Sequence, residues 1–457
     1  MTRAIVVLAV ALGGCVSMAP EYKRPTAPVA ANLPGGDGTA SAAALPWSQF
    51  VHDVKLQRVI QQALAQNRDL RRAALNIESA RAQYRIQRAA ALPSVDALAG
   101  VTSTRTIVGP DNATATQTLY SAGVGMAAWE IDLFGRLKSL SESKREAFLS
   151  TVEAAKATRI SLIAETATAY VTLAADRSRL AIARDTMESS KRTMELIEQL
   201  VSGGTSNRGD VWQATTVYQQ ARADVGLLVA AIAQDRNALE LLTGSPVPDA
   251  LLPDTLPEQL DWFTDVPVGL SSAVLLERPD VLAAEHDLRA ANANIGAARA
   301  QFFPSLTLTA SGGLASTALA ALFSGPAAVF TVAPALAMPL FRGGANRANL
   351  DFTETQKQVF IATYELAIQS AFREVADALA TRATIEEQLA AQLALVEAAT
   401  KSFELAQARY KAGVDTFLTT LVSQRALYAA KNSLAATQLA ALGNRVQLYR
   451  VLGGGLK

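Results

Sequence analysis

Cysteine is nearly absent from this chain, and Cys15, its single thiol, leaves no internal disulfide to staple the fold. Histidine is almost as scarce. His52 and His286 lie far apart, so neither a metal-ligand spacing nor an imidazole-centred catalytic group can be read. GXSXG, Walker and GXGXXG patterns are missing, and the GGDG at 35–38 has no helix behind it to hold a phosphate. The carboxylates Glu285, Asp287, Glu374 and Asp377 fit solvated helix faces better than an acid–base pair. Net charge is +1, with Lys and Arg interspersed among Asp and Glu, so no basic patch points to nucleic acid. Aromatics make up only 6% of the residues. No later run is long and apolar enough to cross a bilayer as a helix. The best candidate, Ala318–Ala337, is interrupted by Ser324-Gly325-Pro326. These absences argue against an enzyme, a nucleic-acid binder and a helical membrane protein.

What is present begins with export. Arg3, the apolar stretch Ala4–Leu12 and then LGGC compose a leader whose apolar core is too short to span. LGGC resembles the bacterial lipobox, which implies cleavage before Cys15 and covalent lipid on it. Val16 follows, in place of the Asp that keeps such lipoproteins at the inner membrane.

A second feature is internal duplication. RAAALPSVDALAG (88–100) and RAQFFPSLTLTASGG (299–313) each turn from an Ala-rich helix into an alternating strand at a Pro-Ser. Superposing Pro93 on Pro304 gives an offset of 304 − 93 = 211, at which Asp69 meets Asp280 and Arg88 meets Arg299. DLFGR (132–136) echoes PLFRGG (339–344), Glu165 falls on Glu374, and the segment after Gly203 echoes that after Ala412. Four pairs in one order indicate a tandem repeat.

Alternation predicts four strands, over 94–108, 119–133, 305–315 and 328–341. Val95, Ala97, Ala99 and Val101 share a face opposite Ser94, Asp96, Gly100 and Thr102, and Tyr120, Ala122, Val124 and Met126 share one opposite Ser121, Gly123 and Gly125. Apolar outside and small or polar inside suits a membrane barrel; a soluble sandwich is the competing reading. Four strands cannot close a barrel, so the edges would pair with further copies, two giving a filled barrel and three an aqueous lumen. After each hairpin comes a run without Gly or Pro, 138–201 and 345–412, each long enough for a helix of about 100 Å. Return helices are expected over 210–243 and 414–442. The stripe Leu389, Leu393, Val396, Thr400, Phe403, Gln407, Tyr410 has coiled-coil spacing.

These segments carry a resemblance. Cys15 followed by PEYKRP (20–25), WEIDLFGRL (129–137), ERPDVLAAEHDLRAANANIGAARAQFFPSLTLTASGG (277–313), PLFRGG, ARYKAGV (408–414) and LVSQRAL (421–427) are similar to TolC-type outer membrane factors. The similarity lies with the OprM and NodT lipoproteins that serve resistance-nodulation-division pumps. It implies a mainly α protein with a membrane β part: a trimeric α-barrel tunnel and a shared 12-stranded β-barrel, four strands per chain. It implies a signal peptide (1–14), an N-terminal equatorial segment (15–60), repeats at 61–244 and 271–457, and a linker at 245–270. The implied role is a passive exit duct with no enzyme activity and no cofactor beyond the lipid on Cys15. Its partners would be two further copies, a periplasmic adaptor, an inner-membrane pump and outer-membrane lipid. A type I protein secretion outlet or a lipid-anchored scaffold without a pore are the alternatives.

The resemblance also assigns residues. Gly203, Gly204, Thr205, Gly413 and Val414 correspond to periplasmic helix tips that meet the adaptor. Tyr410 and Asp210 match a hydrogen-bonded pair that closes the tips, and Leu418 matches an apolar constriction. Val422 stands where a carboxylate is often found. Asp415 replaces an Arg found in some members, and is expected to repel Asp210.

Overall fold

The computed structural model describes residues 17–34, 45–108, 113–265, 271–323 and 325–454. Cys15, GGDG and the loop tip 109–112 lie outside them.

Twelve elements are named here in chain order: α1 (Trp47–Phe50), α2 (Val54–Gln66), α3 (Arg68–Ala89), β1 (Asp96–Ile107), β2 (Thr114–Ile131), α4 (Arg136–Ser202), α5 (Arg208–Thr243), α6 (Pro279–Ala300), β3 (Ser305–Ser316), β4 (Ala328–Ala337), α7 (Ala345–Lys411) and α8 (Phe417–Val451). α4 and α7 each run 67 residues, as the Gly- and Pro-free stretches require. The fourth strand stops at Ala337, short of the expected 341, because Pro339 brings no N–H to a ladder. α8 continues past the expected 442 through Gly443 to Val451. A helix-interior Gly costs about 1 kcal/mol, which burial of Leu442, Val446, Leu448 and Tyr449 offsets.

The chain forms two compact units, each drawing on both repeats. One takes in Asn76–Val152, Ala283–Glu365 and the described N-terminal residues up to Thr26. It contains an antiparallel sheet in the order β1-β2-β3-β4, so the hairpins of the two repeats join through β2 and β3. Directly opposed residues share a face, and the register sorts the sheet. Ala97, Ala99 and Val101 lie opposite Val124, Ala122 and Tyr120. Ala122 and Met126 lie opposite Leu314 and Ala310, and Leu308, Ala310 and Gly312 lie opposite Pro334, Val332 and Phe330. The other face carries Thr102, Ser121, Gly123, Gly125, Thr307, Thr309 and Ser311.

A bulge between Met126 and Trp129 preserves this sorting. Ala128 adopts φ 45°, and its N–H bonds to Thr309 Oγ1 at 3.1 Å. The extra residue shifts the phase by one, so Trp129 and Ile131 fall on the apolar face, opposite Leu308 and Leu306. Below β2, the WEIDLFGRL motif is a turn. Arg136 grips Glu130 at 2.8 and 2.5 Å, Asp132 accepts from Lys138 N at 2.8 Å, and Gly135 takes φ 69°. Phe134 stacks on Phe303 at 4.8 Å, tying this turn to the end of α6.

The second unit holds Ala27–Leu75, Glu153–Leu282 and Leu366–Lys457. Its core centres on Tyr170, Leu173, Leu239, Leu252, Leu442 and a stack of Phe50 on Tyr449 (4.2 Å) and Phe263 (5.2 Å). Asp53 caps α2 through Leu56 N (2.6 Å), and Asn67 bridges α2 to α5 through Leu242 O (2.8 Å). Leu252, Leu256 and Phe263, within the expected linker, are core residues of this unit.

Candidate functional site

The tips are two helix reversals of one design. At the first, Gly204 takes φ 75°, Thr205 N bonds to Leu200 O (2.9 Å) and Gly204 N to Val201 O (3.0 Å). At the second, Gly413 takes φ 73°, Val414 N bonds to Arg409 O (2.9 Å) and Gly413 N to Tyr410 O (2.9 Å). Both are Schellman closures, in which the left-handed residue lets the last carbonyls of a helix find donors. Beneath them Ile197, Ala214, Val217, Phe417 and Leu421 pack together, with Met194, Val201, Val211 and Tyr410 at the margin.

The charged groups are arranged differently from expectation. Asp210 caps α5 reciprocally with Asn207: its N–H bonds to Asn207 Oδ1 (3.1 Å), and its carboxylate accepts from Asn207 Nδ2 and Ser206 Oγ, each at 3.0 Å. No hydrogen bond from Tyr410 to Asp210 occurs within the chain. The Tyr410 ring instead tilts on Phe417 at 5.6 Å, and its hydroxyl interacts with Ser206. Burial, then the nearby Asp210 charge, raise the Tyr410 pKa. Asp415 does not act on Asp210 as expected; Arg409 holds it at 2.6 and 3.1 Å. The sequence reading missed Ser206, Asn207 and Arg409. N-x-x-D before α5 is a readable cap signal, whereas the six-residue Arg409–Asp415 contact depends on the turn geometry. Val414, Leu418 and Val422, spaced by four, remain exposed in the single chain, as does Trp212 at 70%.

A second polar constellation lies in the other unit, where residues 17–24 run along α6. Gly296 admits them closely: a Cβ there would sit 2.6 Å from Ala19 N and 2.6 Å from Ser139 Oγ. Asn292 Nδ2 donates to Pro20 O (2.8 Å). Glu285, expected on a solvated face, is 2% exposed. It accepts from Tyr22 OH (3.1 Å), Arg24 Nε and Nη2 (3.1 and 2.6 Å) and Arg289 Nη2 (2.7 Å). Arg289 also lies over the Tyr22 ring, 4.9 Å from its centroid. Burial alone would raise the Glu285 pKa, but hydrogen bonds from Arg24 and Arg289 outweigh it and hold the pKa below the ordinary value. Nearby, Glu146 Oε2 pairs with His286 Nδ1 at 2.7 Å. Among the described residues, no group of His, Cys, Asp and Glu is arranged to hold a metal, and no helix is long and apolar enough to cross a membrane.

The family model for outer membrane efflux protein matches residues 59–245 and 270–454, one match for each repeat. The chain belongs to that family.

Its relatives agree over nearly the full length. The chain is 45% identical over 457 residues to the solvent efflux pump outer membrane protein SrpC of Pseudomonas putida, covering 97% of this chain and 96% of that protein. Identity to outer membrane protein OprJ of Pseudomonas aeruginosa is 40%, over 98% and 94% of the two chains. Among solved structures, the open state of the Neisseria gonorrhoeae MtrE outer membrane channel superposes with TM-score 0.88 at 36% identity, covering 97% of this chain and 99% of that one. This outer membrane efflux protein is thus mainly helical with a membrane β part, built from a tandem repeat. It is an outer-membrane exit duct of an efflux system.

Proposed function

We propose that three copies of this chain close a 12-stranded barrel and a helical tunnel, through which small molecules leave passively. The observation carrying this reading is the four-stranded sheet with one apolar face and two unpaired edges, β1 and β4. In a bilayer no open edge survives, because each unpaired backbone group there costs several kcal/mol. The tunnel contributes no energy of its own; an inner-membrane pump reached through a periplasmic adaptor drives export. The relatives' names, which speak of solvent, toluene and antibiotic efflux pumps, favour small apolar and drug-like cargo over protein secretion. Adaptor docking belongs to the tips at Gly203–Thr205 and Gly413–Val414.

The resting closure is assigned to Leu418 and Val422, because the polar groups around them are satisfied within each chain. Cys15 carries the lipid. Residues 17–24 run from Gly296 toward Glu285, so their leading end points along α6 toward β3, the membrane end of that helix. The test is single-channel recording in planar bilayers with native mass measurement of the detergent-solubilised protein. Conducting trimers are expected; a non-conducting monomer would refute the duct and favour a scaffold. A Cys15→Ser variant should lose acyl labelling while keeping the barrel in the membrane.

A further inference from the structure

We infer that the β1–β2 hairpin carries, on the outward side of the barrel, a clamp built around Arg105 for a phosphate group on the glycolipid of the outer leaflet. The inference rests on the barrel reading above. Beyond Tyr120 the outward face changes character. The pairs Ala97–Val124, Ala99–Ala122 and Val101–Tyr120 are aliphatic or aromatic, whereas the next pairs on that face are Ser103–Thr118, Arg105–Thr116 and Ile107–Thr114. No bulge interrupts this register, so the period of two keeps Arg105 on the lipid side and out of the lumen. Residues 114–119 of β2 have no partner on β3, so this end of the hairpin stands clear of the rest of the sheet.

Height fixes what Arg105 meets. Tyr120 and Trp129 lie opposite Ser316 and Leu308, eight residues apart on β3 (316 − 308 = 8). That is about 27 Å along the strand, or about 20 Å of height at the usual tilt, against an apolar band about 25 Å tall. The two aromatic residues therefore mark its two rims. Thr116 lies four residues beyond Tyr120 (120 − 116 = 4), which lifts Arg105 about 10 Å above the outer rim. A phospholipid headgroup layer is only about 5–8 Å deep. Arg105 clears it and stands level with the phosphate-bearing sugars that the outer leaflet of an outer membrane displays. The chemistry there fits an anion. Thr114 Oγ1 accepts from Arg105 Nε (3.1 Å) and Nη2 (2.9 Å), which fixes the guanidinium and leaves Nη1 unused among the described residues. The Thr114 hydroxyl keeps its own proton to donate. No Asp or Glu occurs at 97–108 or 113–129, so no carboxylate of the described hairpin neutralises the cation. An Arg fork beside a hydroxyl is a donor set matched to phosphate oxygens.

The test is native mass measurement of the full-length, detergent-solubilised protein titrated with rough-type lipopolysaccharide bearing core phosphates. One glycolipid per copy is expected. Arg105→Gln should weaken retention about ten-fold, the loss of one charge-assisted hydrogen bond, and Arg105→Lys by less, since it keeps the charge without the fork. Thr104→Arg combined with Arg105→Thr keeps the net charge but turns the cation to the lumen, so it should bind as weakly as Arg105→Gln. The same glycolipid stripped of its phosphates, and phosphatidylglycerol, should bind the parent no better than that. Inorganic phosphate at the glycolipid's concentration should not displace it. Parent-like binding by Arg105→Gln or by the exchanged pair overturns the clamp, as does equal binding of phosphatidylglycerol. Displacement by inorganic phosphate makes this a free-anion site and overturns the glycolipid as its occupant. Conducting trimers without the expected selectivity refute the clamp alone, whereas non-conducting monomers refute the barrel reading.

Discussion

Helices α3 and α6 occupy the same place in the two repeats, each 22 residues long and each leading through a Pro-Ser into a strand. Their surroundings differ completely. α6 buries Glu285, Leu288, Ala290, Ala291, Asn292, Ala293, Ile295, Ala297, Ala298 and Ala300, while α3 buries nothing. At the repeat offset, Arg81 stands where α6 has Asn292 (292 − 81 = 211) and Arg85 where it has Gly296 (296 − 85 = 211). Asn292 and Gly296 receive residues 17–24 of the same chain; Arg81 instead lies over the Phe148 ring of α4, 5.5 Å from its centroid, and Arg85 is exposed. The α6 segment is flanked on both sides by its own chain, so Ala and Gly let neighbours approach closely, whereas α3 lies at the edge of the chain. Duplication preserved the path and the environment rewrote the side chains.

The largest effect should come from the faces of the sheet on which both helices end. Leu308→Arg places a charge on the apolar face and should cost about 2–4 kcal/mol near the bilayer midplane, and Thr309→Arg much less. Folding into lipid vesicles under a urea gradient measures both. Equal costs would make the two faces equivalent and remove the barrel.

Glu285→Gln should come next. It leaves Arg24 and Arg289 without their shared carboxylate, a loss of about 1–3 kcal/mol, reduced because both guanidinium groups are partly solvated. Ala74→Gln, the equivalent position of α3 (285 − 211 = 74), should leave thermal stability unchanged. The pH dependence has a definite sign. The Glu285 pKa is held below its ordinary value, so its contribution is present above that ordinary value and fades as pH falls through the depressed folded one. The Gln variant should lack this acid-side loss.

A subtler comparison inserts the same bulk into both helices. Ala293→Leu overfills a buried site and should cost about 1–3 kcal/mol, whereas Ala82→Leu, on a helix that buries nothing in the single chain, should leave the fold of each chain intact. Melting temperature and native mass distinguish the two outcomes.

The smallest change in stability is expected at the tips. Tyr410→Phe removes a hydroxyl that Asp210 does not use within the chain, so its resting conductance should match the parent. Leu418→Ala should leak. A leaking Tyr410→Phe channel would restore the polar latch, formed between copies.

Much of the molecule was legible along the chain because its signals are local and periodic. Pro93 and Pro304 marked both helix-to-strand changes, the runs without Gly or Pro gave α4 and α7 nearly to the residue, and Gly204 and Gly413 marked the reversals. Alternation also gave the facing of Leu306, Leu308 and Ala310 against Thr307 and Thr309, since the period of two is built into an extended backbone. Other features needed three dimensions. Counting by twos from Met126 puts Trp129 on the polar face, and only the register against β3 reveals the bulge that turns it over. Glu285 reads as one more surface carboxylate until Tyr22 and Arg24, more than 260 residues earlier, are seen folded onto it. Arg409 and Asp415 become a pair because a turn at Gly413 folds the chain back. The sequence by itself determined periodicity, punctuation and repetition, because those are properties of neighbours along a chain. The tertiary structure decided which charges are buried, which partners they hold and which faces remain uncovered, because burial and pairing depend on segments that the sequence keeps far apart.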